Sequence, residues 1–344
     1  MPLEAHLNPT LMSPISTPSI AEDVQLFNDL RHLSAEEQTK FLLEREAQMR
    51  VAGTIDTNVY LLRGKMESVL AHMRNVEEGM FDVDGTLTGI GTRTLEQKNI
   101  EGIQRLRETD MTATGITGRH HGQVAELWQN HPEGTGIDTW LIEQGFYKTA
   151  PGMAPEYFAG SPALEKYVTD VRTKMAQHLP ILEAEHGIQF VTTSAVGYPE
   201  AHKSMYSLDA HHPGTDQKIT NSAQHDQILG QFREIWRGYD PEGITAKTGT
   251  SSIGTFEWTV DGINKEVGIL EHLNQTGRNP SRIAIFGDSG NDLAAFQSLN
   301  DYLKVVIMNP HTKQPLVQNS HLATVGIGNA APILRVMHKV RTSI

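Results

Sequence analysis

The sequence predicts an α/β protein, a parallel sheet between helices interrupted by a second α/β unit. Two acidic clusters and the chain length carry that prediction. In the first cluster, Phe81-Asp-Val-Asp-Gly-Thr-Leu-Thr-Gly89, Asp82 ends a short apolar stretch and Gly85 breaks it. The two carboxylates, spaced i, i+2, then project from a strand's carboxyl end, where open α/β sheets place their ligands. In the second, Ile283-Ala-Ile-Phe-Gly-Asp-Ser-Gly-Asn-Asp292, an apolar run suited to a parallel sheet gives way to a turn and to a helix from Leu293. A chain of 344 residues, 38% apolar, is long enough for two domains.

Taken from the amino terminus, residues 1–19 are rich in Pro and Ser and read as a flexible arm. Ser34-Ala-Glu-Glu37 is a capping box that starts a helix reaching to about residue 50. A second helix is expected from about 57 to 74, with Val59, Leu62, Met66, Val69, Leu70 and Met73 on one face. The pair reads as a hairpin packed on the core; dimerisation through these helices, or a targeting element, is the alternative. The first core strand is short, Val76-Glu-Glu-Gly-Met-Phe81, which puts Glu77 and Glu78 at the sheet's far end from the chemistry. Between the clusters, residues 163–179 and 222–239 repeat apolar side chains at helical spacing. They are expected to pack on a sheet built from 189–194, 204–210 and 244–260, the last with an internal turn. Residues 302–308 form a further sheet strand, followed by Asn309.

Each cluster alone has an ordinary reading. Asp-x-Asp-Gly suits a turn or a calcium loop, and an Asp-rich turn ahead of a helix suits a cap. Their shared strand-end context favours one site instead, in which one carboxylate is a nucleophile and another a proton shuttle. Asp288, Ser289, Asn291 and Asp292 offer the hard oxygen ligands that suit magnesium.

The two segments resemble the first and fourth motifs of the haloacid dehalogenase-like superfamily, Asp-x-Asp-x-Thr and, much later, Gly-Asp-x-x-x-Asp. Thr117 in Thr117-Gly-Arg119 fits the second motif, and Lys265 in Asp261-Gly-Ile-Asn-Lys265 fits the third. The resemblance implies a Rossmann-like core, over 76–122 and 262–344, and an α/β cap domain inserted over 123–261, with 1–75 an extension. Thr117 and Lys265 are 148 residues apart, far more than a crossover requires. Superfamily members with a large cap at this place mostly act on phosphorylated sugars. The segment 253–265, a cap strand bearing Glu257 that runs into Lys265, is similar to trehalose-phosphatases. Glu266 stands where that family usually has Gly, however, and the arginine usually following the strand histidine is missing, which leaves the sugar open.

The resemblance further implies roles for individual residues. Asp82 would attack phosphorus and Asp84 would act as acid and then base. Mg2+ would be held by Asp82, the Asp84 carbonyl and Asp288, with Asp292 in support. Thr117 and Lys265 would hold the phosphoryl oxygens, and Asn291 would position Lys265 or the acidic pair. Substrate contacts are expected from Gly118, Arg119, Lys203, His211 and Glu257. The expected function is hydrolysis of a small phosphate ester through an aspartyl-phosphate. A sugar phosphomutase, and an effector or interaction protein using the same fold, are the alternatives.

Composition narrows the partners. A formal charge of −12 with no Lys/Arg block argues against a nucleic-acid backbone. The absence of cysteine excludes thiol catalysis, thiolate metal sites and disulfides, in keeping with a reducing cytoplasm; secretion as a bacterial effector is the alternative. No apolar run is long enough to span a membrane, and no signal peptide is expected. The sixteen histidines include the pairs His120-His121 and His211-His212. Neighbours on a helix or strand point apart, so these pairs are poor chelators, and His120 or His121 is expected near the phosphate loop.

Overall fold

Buried apolar runs at Met80–Phe81, Ile283–Phe286, Leu303–Met308 and Leu322–Val325 build the centre of the molecule, since strands covered on both faces need side chains that tolerate dry surroundings. The computed structural model describes residues 59–89, 92–192, 204–239, 246–249, 254–260, 262–309, 312 and 314–342. The expected arm over 1–19 and helix over 34–50 lie outside the described residues, as does Lys203.

The first part of the core runs β1 (Tyr60–Leu61), α1 (Met66–Asn75), β2 (Glu78–Phe81), α2 (Gln97–Arg107), β3 (Thr112–Ile116), α3 (His121–Asn130), β4 (Thr139–Ile142), β5 (Tyr147–Thr149) and β6 (Glu156–Tyr157). The cap follows with α4 (Pro162–Ala176), α5 (Leu179–His186), β7 (Gln189–Thr192), β8 (Met205–His211), α6 (Ser222–Tyr239), β9 (Ala246–Gly249) and β10 (Thr255–Val260). The chain then returns through α7 (Lys265–Thr276), β11 (Ile283–Gly287), α8 (Leu293–Ser298), β12 (Leu303–Met308), α9 (Gln314–Gln318), β13 (Leu322–Val325) and α10 (Ala331–Thr342).

Among the described residues the core sheet has nine strands in the order β1-β13-β12-β11-β2-β3-β4-β5-β6. The six from β13 to β4 are parallel, and β1, β5 and β6 are antiparallel additions at the edges. Phe81 of β2 and Phe286 of β11 stack with ring centroids 4.4 Å apart, holding together the two strands whose ends carry the acidic clusters. The cap is a separate antiparallel sheet, β7-β8-β10-β9, with its own core of Val171, Met175, Phe232, Phe256 and Trp258.

Two expected boundaries are corrected. The segment from 123 to 157, assigned to the cap, instead adds α3, β4, β5 and β6 to the core; its apolar runs fix strands, but the chain alone does not say which sheet receives them. The helix expected from 57 to 74 begins only at Met66. Ahead of it, β1 pairs with β13, and Gly64 turns the chain at φ +92°, a left-handed backbone that a continuous helix does not contain. Leu61, Val69 and Met73 are buried, so the end of the extension belongs to the core.

The helix α4 joins the two bodies. Ser161 caps it by accepting from the Leu164 amide, and Pro162 suits its first turn. Leu164, Tyr167 and Val168 pack on the main core, while Val171 and Met175 pack in the cap. Near its start, Glu165 accepts from the hydroxyls of Tyr147 at 2.6 Å and Tyr157 at 2.5 Å.

Candidate active site

The carboxyl ends of β2 and β11 lie side by side, and this brings the two acidic clusters together. The Asp82 amide donates to the Phe286 carbonyl at 3.0 Å, extending the strand pairing into the first cluster. The chain then folds tightly: Thr86, Leu87 and Thr88 all donate to the Val83 carbonyl. Gly85 sits inside this turn at φ +79°, and a Cβ there would lie 2.2 Å from Asp288 Oδ2. Both the backbone and the close approach require glycine.

One ligand atom from each of Asp82, Asp288 and Asp292 falls within 4.8 Å of the others, and all three residues are buried. Lys265 enters this group from the first residue of α7, which begins there because the Asn264 side chain accepts from the Val267 amide. Its ammonium is 2.6 Å from Asp82 Oδ1 and 2.7 Å from Asp292 Oδ1, with Asn291 Oδ1 at 3.3 Å. Asp292 Oδ2 accepts from the Asp288 and Ser289 amides, each at 3.1 Å. Asn309, directly after β12, donates to Asp288 Oδ2 at 2.8 Å and joins the group.

The charges do not balance. Burial, and then the Asp292 charge, push the Asp82 carboxyl well above the usual carboxylate range. The same two causes raise Asp288 to about 7. Burial would depress Lys265, but Asp292 and Asp82 outweigh it and hold the ammonium above its ordinary value. Asp288 Oδ1 is buried without a hydrogen-bond partner. An excess of carboxylate with an open acceptor is what a hard divalent cation relieves, so the residues fit magnesium.

Asp84 stands apart from the carboxylate cluster. Arg119 grips it with two bonds, Nε to Oδ2 at 3.0 Å and Nη2 to Oδ1 at 2.6 Å, and also donates to the Thr92 carbonyl at 2.6 Å. Thr117 is fully buried at the end of β3, and its hydroxyl accepts from the Arg119 amide at 3.1 Å. Gly118 lies against the Gln144 side chain. His120 caps α3 through Nδ1, accepting from the Gly122 amide, while His121 Nδ1 is 3.4 Å from the Thr149 hydroxyl.

The cap residues are less concentrated. Along β8 and β10, Tyr206, Leu208, Phe256 and Trp258 point into the cap core, so Ser207, Asp209, His211, Thr255 and Glu257 alternate onto the other face. Glu257 lies opposite Ser207, about 10 Å along β8 from Ser204, where the cap touches the core. His211 ends that strand at its far end from the contact, about 23 Å along from Ser204. On the same face Lys218 is 2.8 Å from Asp209 and donates to Thr255 at 3.1 Å.

The sequence carries no sign of the Thr92 carbonyl beside Arg119 or of the turn Glu143-Gln144-Gly145, which supports the Thr117 loop from β4. Glu78 lies at the far end of β2 as expected, but it is buried. There Glu78 accepts from Thr114 at 2.5 Å, with His272 at 2.9 Å and Arg278 at 3.2 Å. Burial raises its carboxyl, but His272, Thr114 and Arg278 outweigh that and hold it below the usual value.

The sequence profile of the haloacid dehalogenase-like hydrolases matches residues 198–305, a stretch that contains Lys265, Asp288 and Asp292. No curated protein matches the chain in sequence. Among solved structures, a haloacid dehalogenase-like hydrolase from Bacteroides thetaiotaomicron superposes with TM-score 0.52 and 14% identity, over 77% of this chain and 99% of that one. A sugar phosphatase of haloacid dehalogenase subclass IIB gives 0.51 and 15%, over 76% and 98%. A trehalose-6-phosphate phosphatase related protein gives 0.51 and 16%, over 77% and 99%. At these identities the likeness is one of fold.

Proposed function

Taking the chain as a phosphatase of the haloacid dehalogenase-like hydrolase fold, we propose that it hydrolyses a small phosphorylated metabolite, a sugar phosphate, through phosphoryl transfer to Asp82. The observation that carries this reading is the buried set of Asp82, Lys265, Asp288 and Asp292 at two adjacent strand ends.

Phosphate monoesters hydrolyse very slowly without help, so the site has to neutralise the phosphoryl oxygens and present a nucleophile in line. An Asp82 carboxylate oxygen attacks phosphorus as the ester P–O bond breaks. Asp84 gives its proton to the departing sugar oxygen. It then takes a proton from a water whose oxygen attacks the aspartyl-phosphate, releasing inorganic phosphate and restoring the Asp82 carboxylate. Lys265 and the Thr117 hydroxyl hold phosphoryl oxygens; the longest Lys265 bond, to Asn291, is the one to give way. Asp82 and Asp288, with Asp292 behind them, would hold magnesium, which supplies positive charge against the phosphoryl group. Arg119 fixes the direction of Asp84 rather than meeting the substrate.

The sugar assignment is supported by the polar residues Asp209, Lys218 and Glu257 on one face of the cap sheet, and by the names of two relatives in fold. Phosphate release with magnesium, measured over trehalose 6-phosphate, sucrose 6-phosphate and hexose phosphates, tests it. The expected result is turnover selective for one ester and abolished in Asp82→Asn. Equal turnover in the variant would remove Asp82 from the attack, and silence across the panel from folded protein would reject the sugar assignment.

A further inference from the structure

Three successive residues after β4 hold left-handed backbone: Glu143 at φ +50°, Gln144 at +64° and Gly145 at +91°. Side-chain-bearing residues persist in that conformation only where the surroundings enforce it, and such places gather at functional sites. Here the enforcement comes from the phosphate loop. The Glu143 amide donates to the Arg119 carbonyl at 3.0 Å and the Gln144 amide to the Thr117 carbonyl at 2.8 Å. Gln144 lies so close over Gly118 that a Cβ on that glycine would meet Nε2 at 2.9 Å. Gly145 packs on Gly268 of α7, three residues after Lys265, where a Cβ would lie 2.6 Å from the Gly268 Cα.

The Glu143 side chain points the other way, toward the cap. It is buried, and its Oε2 accepts from the Ser204 amide at 2.7 Å and the Ser204 hydroxyl at 2.5 Å. Ser204 leads directly into β8, and the next residue, Met205, accepts through its carbonyl from Arg172 of α4 at 3.0 Å. A carboxylate bonded in this way in a dry setting makes a strong, directional link.

We propose that Glu143 is a positioning residue that couples the cap to the phosphate-binding loop. Its backbone grips Thr117–Arg119 and its carboxylate grips Ser204, the residue that leads into β8 of the cap sheet. Seating a sugar against the cap therefore bears on the Thr117 hydroxyl, and on Arg119, which in turn directs Asp84. The coupling to catalysis rests on the phosphatase reading above; the mechanical link between Ser204 and the loop does not.

Hydrogen exchange on the full chain tests the link without any activity. Ser204→Ala removes one donor on the cap side and leaves the core untouched. Faster exchange of the Arg119, Glu143 and Gln144 amides in that variant is the expected result. Unchanged exchange at those three amides, whatever happens in 204–211, overturns the proposal. Where phosphate release is measurable, Glu143→Ala and Ser204→Ala each lower kcat/KM for the sugar ester about tenfold, with far less effect on acetyl phosphate, which leaves the cap empty. The double variant loses no more than the worse single one, and Glu143→Gln, which keeps an acceptor, recovers part of the loss. Equal losses on both esters, or additive losses in the double variant, contradict the coupling. A wild type that releases phosphate from neither ester sinks the hydrolysis reading and leaves exchange to decide the link.

Discussion

Among the described residues, Arg119 and Lys265 bring positive charge to the site, and each is committed to particular carboxylates. Lys265 bonds Asp82 and Asp292, while Arg119 bonds Asp84 through a two-pronged contact and steadies itself on the Thr92 carbonyl. A planar guanidinium with both prongs engaged fixes direction as well as charge, which a lysine would not do. Arg119 is expected from the sequence to touch substrate; its guanidinium holds Asp84 in the structure, and the proposed mechanism gives it that positioning part. Arg119→Ala should therefore lower kcat about 100-fold, by misdirecting Asp84, while KM changes little. Steady-state kinetics on the preferred ester checks this; a raised KM with kcat preserved would return Arg119 to the substrate.

At the scale of elements, what the sequence shows and what it hides divide along local and distant causes. The strand-turn-helix passages at Asp82 and Asp288 are legible because an apolar run, a glycine and clustered acids lie within ten residues. The strands β4, β5 and β6 are legible as strands but not as core strands, since the sheet they join is chosen by partners far along the chain. The helical periodicity of Val59 to Met73 outvoted Gly64, whose φ of +92° ends one element and permits the next. Glu143 gave no signal at all, because both of its attachments, to Arg119 and to Ser204, are made only in the folded chain.

The pairing of β12 with β13 carries a further consequence. His321 Nδ1 accepts from the Lys304 amide at 3.2 Å, a bond that only the neutral ring makes. Burial first, and then the charges of Lys304, His72 and Arg63, lower its pKa from 6.5 to about 4. Between those values the unfolded chain binds a proton that the folded chain refuses, so stability falls as pH drops through that window and this loss levels off below it. Thermal midpoints from pH 7 to 4 should fall less steeply in His321→Asn, whose amide oxygen replaces the acceptor without titrating. An unchanged slope would contradict the assignment.

Over the whole molecule, two hydrophobic cores share one helix, α4, and the carboxylate cluster lies at the carboxyl edge of the larger sheet, with the cap inserted between β6 and α7. The net charge of −12 makes an unaided approach of a phosphate ester unfavourable, which is the physical reason a divalent cation suits the site. Among the described residues no helix is long and apolar enough to cross a membrane. The candidate site was more legible than the cap because its chemistry restricts both residue type and spacing. Sugar recognition only requires polar groups somewhere on a surface, and of the cap residues singled out, Lys203 lies outside the described residues while His211 stands at the end of β8 far from Ser204.

In the proposed reaction, phosphorus passes through Asp82. Protein turning over its preferred ester with magnesium, quenched in acid within one turnover and digested, should yield the Asp82 peptide carrying one added phosphoryl mass, labile at alkaline pH and absent from Asp82→Asn. Rapid phosphate release with that peptide unmodified at every quench time would exclude the aspartyl-phosphate and point to direct attack by water.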